Sequence, residues 1–380
     1  MDAMKPFVAA AADPYGYARG WKMARGGPVI GSFCTYAPEE IVWAAGGLPL
    51  RLFGASGMLT LADGHLQAYS CSLVRGALEE ALAGKLDFLD GVVFPHTCDS
   101  IQRLSDLWRL NAQTGFHADV VLPVKLTTDS AKHYLAQVMG RFRREMETHV
   151  GRPITDEALA RAIADYNRLR AGLGQLYRLK MDRPGAIGAA AIQTVVRAAM
   201  VMDRVEVAGH LEALLEALGC GAPATGAGVA RLVLAGGACS LPDIHQAVEG
   251  AGAAVVWDDL CTGTRAFTGP IPLDPDPVSA IARRYAERVV CPAKHAGLDA
   301  RAKSLVKAVE QSRAGGVVFV VLKFCDPHLF DYPYLKSYLD EQGIASLMLE
   351  IEDRQAGTGQ FATRIEAFVE TLKARLKTED

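Results

Sequence analysis

The chain is 380 residues long, beyond the usual size of one hydrophobic core, so two domains are the default expectation. Its 40 Lys and Arg against 43 Asp and Glu give a net charge of -3 and a pI near 6.3, which leaves no basic footprint for nucleic acid or an anionic membrane surface. No run of 18 apolar residues is free of charge, and the apolar run after Lys5 is broken by Asp13 and Pro14 before a signal-like core develops, so the expected location is the cytoplasm.

From Gly31 to about Leu126, the short apolar segments LPLRLFG, GVVFPHTC and ADVVLPVKL are separated by helix-like stretches such as CSLVRGALEEALAG. That alternation predicts a parallel α/β domain over residues 1–130. Over residues 131–225 the pattern is helical. Thr155 is an N-cap candidate with Asp156 and Glu157 in the first turn, and Leu159, Ile163, Tyr166, Leu169, Leu173 and Tyr177 recur at helical spacing until Pro184. Strand-like runs return over residues 226–380, in ARLVLAGGAC, AAVVWDDLC, GGVVFVVLKFC and IASLMLEIE. The expected architecture is α/β: two Rossmann-like parallel-sheet domains with a helical segment between them.

Several of these runs end in cysteine. In open α/β sheets ligands bind beyond the carboxyl ends of the strands, so a cysteine just past a strand is aimed at the functional edge. Eight cysteines in a chain of this size are poor disulfide candidates in a reducing cytosol, which leaves inert core residues, a reactive thiol or metal ligands. No C-x-x-C pair is present, so a metal site here has to be assembled by the fold rather than by a tight loop. Two trios stand out. Cys34, Cys71 and Cys98 run as Cys-Thr, Cys-Ser and Cys-Asp; Cys261, Cys291 and Cys325 run as Cys-Thr, Cys-Pro and Cys-Asp. The same span separates the first and last member of each trio. Inert packing gives no reason for such parallel placement. Two three-thiolate half-sites facing each other suit iron and sulfide better than zinc, since three cysteines can hold three corners of a [4Fe-4S] cubane while a closed zinc site wants four ligands.

The segments PEEIVWAAGGLPLRLFG, FLDGVVFPHTCDSIQRLSDLWR, ITDEALARAIADYNRLRAGLGQLYRL, DDLCTGTR and KFCDPHLFDYPYLKSYLDEQGIASLMLEIEDRQAGTGQFATRIEAF resemble the 2-hydroxyacyl-CoA dehydratase and benzoyl-CoA reductase family over nearly the whole chain. The resemblance implies a two-domain iron-sulfur protein that pairs with a homologous subunit or with itself as a dimer, and that receives electrons from a separate ATP-hydrolysing [4Fe-4S] activator. The chain is consistent with that division: it has no G-x-x-x-x-G-K-[ST], and its Gly84-Lys85 pair is followed by Leu86. Dehydratase subunits of the family typically hold one [4Fe-4S] cluster on three cysteines. The six-cysteine branch, which this sequence resembles more closely, holds a double-cubane [8Fe-9S] cluster, and its ligands carry over by motif to Cys34, Cys71, Cys98, Cys261, Cys291 and Cys325. The implied function is an iron-sulfur subunit of an ATP-coupled low-potential reductase. The alternatives are a subunit of a 2-hydroxyacyl-CoA dehydratase acting on a CoA thioester, or an electron relay with no substrate of its own.

The remaining candidates carry plainer expectations. Cys220 and Cys239 fall outside both trios and read as structural. His96 and His328 flank trio cysteines, and each suits packing or a turn as well as tuning of a metal centre. Glu39 and Glu40 read as acidic residues opening a helix after Pro38. AGTGQ and AGGACSLPD lack a phosphate-loop or dinucleotide pattern, so no nucleotide site is expected.

Overall fold

The computed structural model describes the chain except residues 1, 56–58, 113, 220–228, 238–242, 289–290, 353–357 and 380. Among the described residues, eight strands form two four-stranded parallel sheets. The first contains β1 (Val29–Ser32), β2 (Leu48–Arg51), β3 (Gly91–Pro95) and β4 (Phe116–Val120) in the order β2-β1-β3-β4. The second contains β5 (Ala230–Gly236), β6 (Ala253–Asp259), β7 (Gly316–Leu322) and β8 (Ala345–Ile351), and repeats that order as β6-β5-β7-β8. In each sheet the chain leaves its first strand to one side and then crosses to the other. A crevice opens at such a reversal, above the carboxyl ends of β1 and β3 and of β5 and β7.

Strands of a parallel sheet covered on both faces read as continuous apolar runs, and β3 and β7 are buried along their whole length. β1 is not legible as a strand in the sequence, because Val29–Ser32 is only 4 residues long and contains Gly31. β4 begins at Phe116 and ends at Val120, earlier than the run ADVVLPVKL suggests. Beyond Val120, Pro123 lacks the donor that a ladder needs, and Lys125 makes an isolated parallel bridge to His295.

Between the sheets in chain order lie the helices Asp129–Val150, Asp156–Asp182, Ala189–Ala199 and Arg204–Gly219. Thr155 caps the second, its hydroxyl accepting from the Ala158 N–H at 3.2 Å. The helical stripe read from the sequence is buried from Leu159 to Tyr177. One apolar cluster runs from Val29, Leu48 and Val92 through Leu173 and Val195 to Leu232 and Val318, so this helical layer is the shared floor of both sheets. A later helix, Pro277–Glu287, crosses back to the first sheet: Ile281 and Tyr285 pack with Ile30, Tyr36 and Phe142, and the Tyr285 hydroxyl donates to the Ala37 carbonyl at 2.6 Å.

Gly236 shows how closely the second sheet approaches its own crevice. Its φ is +155°, and a Cβ there would sit 1.8 Å from the Val320 carbonyl oxygen. Gly236→Ala is expected to destabilise the fold by more than about 1 kcal/mol, because neither backbone can yield without breaking the pairing of β5 with β7. Denaturant unfolding checks this; an unchanged midpoint would contradict the packing.

Candidate metal centre

Of the six trio cysteines, Cys34, Cys98, Cys261 and Cys325 follow β1, β3, β6 and β7, while Cys71 precedes a helix and Cys291 lies beyond the helix Pro277–Glu287. Cys34 follows β1 by two positions, and its sulfur accepts from the Thr97 hydroxyl at 3.7 Å. Cys71, Cys98 and Cys325 are the N-cap residues of helices Ser72–Leu82, Asp99–Asn111 and Asp326–Glu341. A helix N-terminus carries unpaired N–H groups and partial positive charge, which at Cys98 and Cys325 works against the burial that raises the thiol pKa but does not outweigh it. The Gln102 N–H donates to the Cys98 carbonyl at 3.2 Å and the His328 N–H to the Cys325 carbonyl at 3.1 Å, closing the first turns of these helices. Phe324, just before Cys325, has φ +64°, an uncommon conformation for a bulky residue that turns the chain from β7 into its helix. Cys261 follows β6 in a loop wound around Asp258, whose carboxylate accepts from the Leu260 and Thr264 N–H groups. Gly263 is required there, since a Cβ would fall 2.0 Å from the Asp258 carboxylate.

The thiols are linked as electrostatic neighbours into a ring of interactions. Cys98 senses Cys71 and Cys34; Cys325 senses Cys71 and Cys261; Cys291 senses Cys261 and Cys34. Cys98 also faces Cys325 and Cys291 across the ring. Burial, reinforced by neighbouring sulfurs, pushes the Cys98 thiol up to about 12 and Cys291 to about 11, and Cys325 upward as well. All six are free cysteines. Among the described residues no three His, Cys, Asp or Glu side chains converge closely enough to hold a single metal ion. A donor set made only of sulfur is the chemistry that thiophilic metals take.

Two cations serve the ring. The Arg265 guanidinium, 3% exposed, donates to the Cys261 sulfur at 3.5 Å and is held by Asp259 at 2.7 Å. Burial works against its charge, but Asp259 and then the neighbouring Cys261 and Cys291 raise its pKa. Lys294 lies near Cys34, Cys291 and Cys98; burial lowers its pKa, and its amine donates to the His96 carbonyl at 3.1 Å. Cys71, Cys98 and Cys325 line one side of a cleft of about 450 Å³, with Lys294, Arg301 and Tyr334 around the rest.

Residues 34–372 match the family model described as 2-hydroxyglutaryl-CoA dehydratase, D-component. The chain belongs to this family. It is 28% identical over 347 residues to the (R)-phenyllactyl-CoA dehydratase beta subunit of Clostridium sporogenes, covering 91% of this chain and 92% of that one. The beta subunit of (R)-2-hydroxyglutaryl-CoA dehydratase from Acidaminococcus fermentans is also 28% identical, covering 92% and 93%. A benzoyl-CoA reductase polypeptide of Thauera aromatica is 27% identical, covering 94% of each chain.

Within this family fold, the two sheets correct the pairing of cysteines suggested by sequence order. Cys98 and Cys325 do correspond, each following the third strand of its sheet, β3 and β7. Cys34 and Cys261 do not: Cys34 follows the first strand of its sheet, whereas Cys261 follows β6, the second of its own. In the sequence the first cysteine after β5 is Cys239, which, like Cys220, lies outside the described residues. His96 is turned to the sheet edge, its Nε2 2.9 Å from Asp119. Burial, followed by the Arg265 and Arg301 charges, holds the His328 pKa well below the usual range, so this ring is neutral at pH 7. Glu39 and Glu40 do open a helix, but they are more than solvated helix acids. Glu40 is 0% exposed and paired with Arg170, and Glu39 pairs with Arg204 at 3.2 Å. Sequence reading missed this because the partners are far away along the chain.

Proposed function

We propose that the six thiols hold an iron-sulfur centre, a double-cubane [8Fe-9S] cluster in preference to a single [4Fe-4S], and that the chain is the iron-sulfur subunit of an ATP-coupled low-potential reductase of the benzoyl-CoA reductase or double-cubane kind. The observation that carries this is a set of six free thiols, Cys71 buried and the other five half-buried, that are electrostatic neighbours of one another and are drawn equally from both halves of the chain. When bound, such a centre supplies a low-potential electron reservoir. The chain's own residues do the rest. Arg265 and Lys294 offset thiolate charge that burial would otherwise make costly, and the three helix N-termini add N–H donors around the sulfurs. The adjoining cleft of about 450 Å³ has room for the reacting end of a CoA thioester, within the range usual for small-molecule sites. Partners on this reading are a homologous subunit or a second copy, and a separate ATP-hydrolysing [4Fe-4S] activator, all in the cytoplasm. Among the described residues no helix is long and apolar enough to cross a membrane.

A second reading, a subunit of a 2-hydroxyacyl-CoA dehydratase, is favoured by the names of two relatives, both dehydratase beta subunits. One experiment separates the two. Anaerobic protein is given a reduced ferredoxin, an iron-sulfur ATPase activator and either an aromatic or a 2-hydroxyacyl CoA thioester, with ATP or a non-hydrolysable analogue. A reduced product that depends on ATP hydrolysis is the expected result. An enoyl-CoA product formed with only catalytic ATP would establish the dehydratase reading instead, and full activity without ATP would refute the coupling. Electron uptake with no product would leave the chain as a relay.

A further inference from the structure

A second cavity lies behind the Cys34 loop, away from the cleft. Arg51 is the lone charge in the apolar run LPLRLFG and the last residue of β2. It is 3% exposed. Its Nε has no hydrogen-bond partner, and no ion pair reaches its guanidinium from any described residue. With Arg170, Arg284, Glu39, Glu40 and Tyr166 it lines a pocket of about 50 Å³.

The two carboxylates on this wall are already engaged. Glu40 is paired with Arg170 and lies 3.3 Å from the Tyr285 hydroxyl; Glu39 is paired with Arg204 and accepts from the Tyr166 hydroxyl at 2.9 Å. Arg284 points its donors at the Gly269 and Thr268 carbonyls, at 2.6 and 3.0 Å. Burial, then the neighbouring Arg170 and Arg288 charges, pushes the Arg284 pKa down to about 9, a sign that positive charge is crowded here. Three guanidiniums on the wall, of Arg51, Arg170 and Arg284, therefore face two carboxylates, one of which, Glu39, is also paired with Arg204 from outside the pocket. A buried cation without a counter-charge is costly, and water can fill its hydrogen bonds but cannot cancel its charge. The space admits a few water-sized groups and excludes a nucleotide or a CoA moiety.

We propose that this cavity binds one compact monovalent anion, a halide or a small planar oxyanion such as nitrate or formate, on the Arg51 guanidinium. The guanidinium fork matches two oxygens of a planar anion, and a halide can sit in the same fork. The walls come from β2, from the helix Asp156–Asp182 and, through Phe267 and Arg284, from the second half of the chain. The anion thus ties three parts of the fold together. Thr35, adjacent to Cys34, is also on the wall, so the bound anion supports the loop that carries a ring thiol.

The test compares thermal midpoints of the full-length protein in gluconate with those in chloride, bromide, nitrate or formate at constant ionic strength. A rise of about 2 °C or more that saturates at millimolar anion is expected, since a ligand of the folded state alone stabilises it by mass action. General salt effects do not saturate in that range. Arg51→Met is expected to abolish the response. If that variant does not fold, crystals of the wild-type protein grown in bromide decide the matter through an anomalous peak beside Arg51. Equal midpoints in chloride and gluconate, an undiminished response in Arg51→Met, or no bromide in the cavity would each overturn the proposal.

Discussion

Cys98→Ala or Cys325→Ala is expected to remove most of the iron from anaerobically prepared protein, which should otherwise be brown and hold roughly equal iron and sulfide, at about eight of each per chain. Both residues occupy corresponding helix N-caps after the third strand of their sheets, and Cys98 has four and Cys325 three of the other thiols as electrostatic neighbours. Neither can be replaced by a neighbour without rebuilding a strand-to-helix turn. An alanine there leaves an iron position that water holds far less firmly than a thiolate does. Cys239→Ala is the discriminating companion. If the ring of six is the ligand set, this variant keeps its iron and spectrum, as Cys220→Ala does. If the second half instead copied the first strand for strand, Cys239 would take the place of Cys261, and its loss would bleach the protein while Cys261→Ala would not. Iron and sulfide analysis with the visible spectrum reads both outcomes. Equal losses across all eight cysteines would mean that they serve folding alone.

Sheet strands and thiols were legible because each leaves a local signal. A strand buried on both faces must be a continuous apolar run, and GVVFVVL became β7 residue for residue. Cys34, Cys98, Cys261 and Cys325 could be placed at strand ends because parallel α/β topology sends every carboxyl end to one edge, whereas Cys71 and Cys291 follow no strand directly. What stayed hidden is non-local. β1 is too short to announce itself, yet it is an inner strand of its sheet and the one that delivers Cys34. The pairing of Cys34 with Cys261 came from counting along the chain, whereas strand order in space is set by crossovers that leave no periodic trace. Arg265 and Lys294 look like ordinary surface cations in the sequence. Only the convergence of loops from both halves makes them the charge partners of the ring.

The same non-local character governs the largest stability effect expected outside the thiols. Glu40 is 0% exposed and paired with Arg170, which lies on a helix far along the chain, while Tyr285 reaches the carboxylate from a third segment. Burial by itself would raise the Glu40 pKa, but the Arg170 and Arg284 guanidiniums outweigh it and hold the carboxyl below its ordinary value of 4.5. A depressed folded-state pKa gives a stabilisation that is fully present above the unfolded value. It is lost as pH falls through the folded value, so the contribution of this pair should disappear below the ordinary carboxylate range rather than near neutrality. Arg170→Met at pH 7 is expected to cost about 3–5 kcal/mol, because it strands a buried carboxylate. Adding Glu40→Met should recover much of that loss, since a packed apolar pair avoids the desolvation that the ion pair had to offset. Urea unfolding of the two single variants and the double variant measures the coupling. A loss below about 1 kcal/mol for Arg170→Met, the range of an exposed ion pair, would show that water reaches Glu40 and that this junction between the chain's two halves is looser than its geometry states.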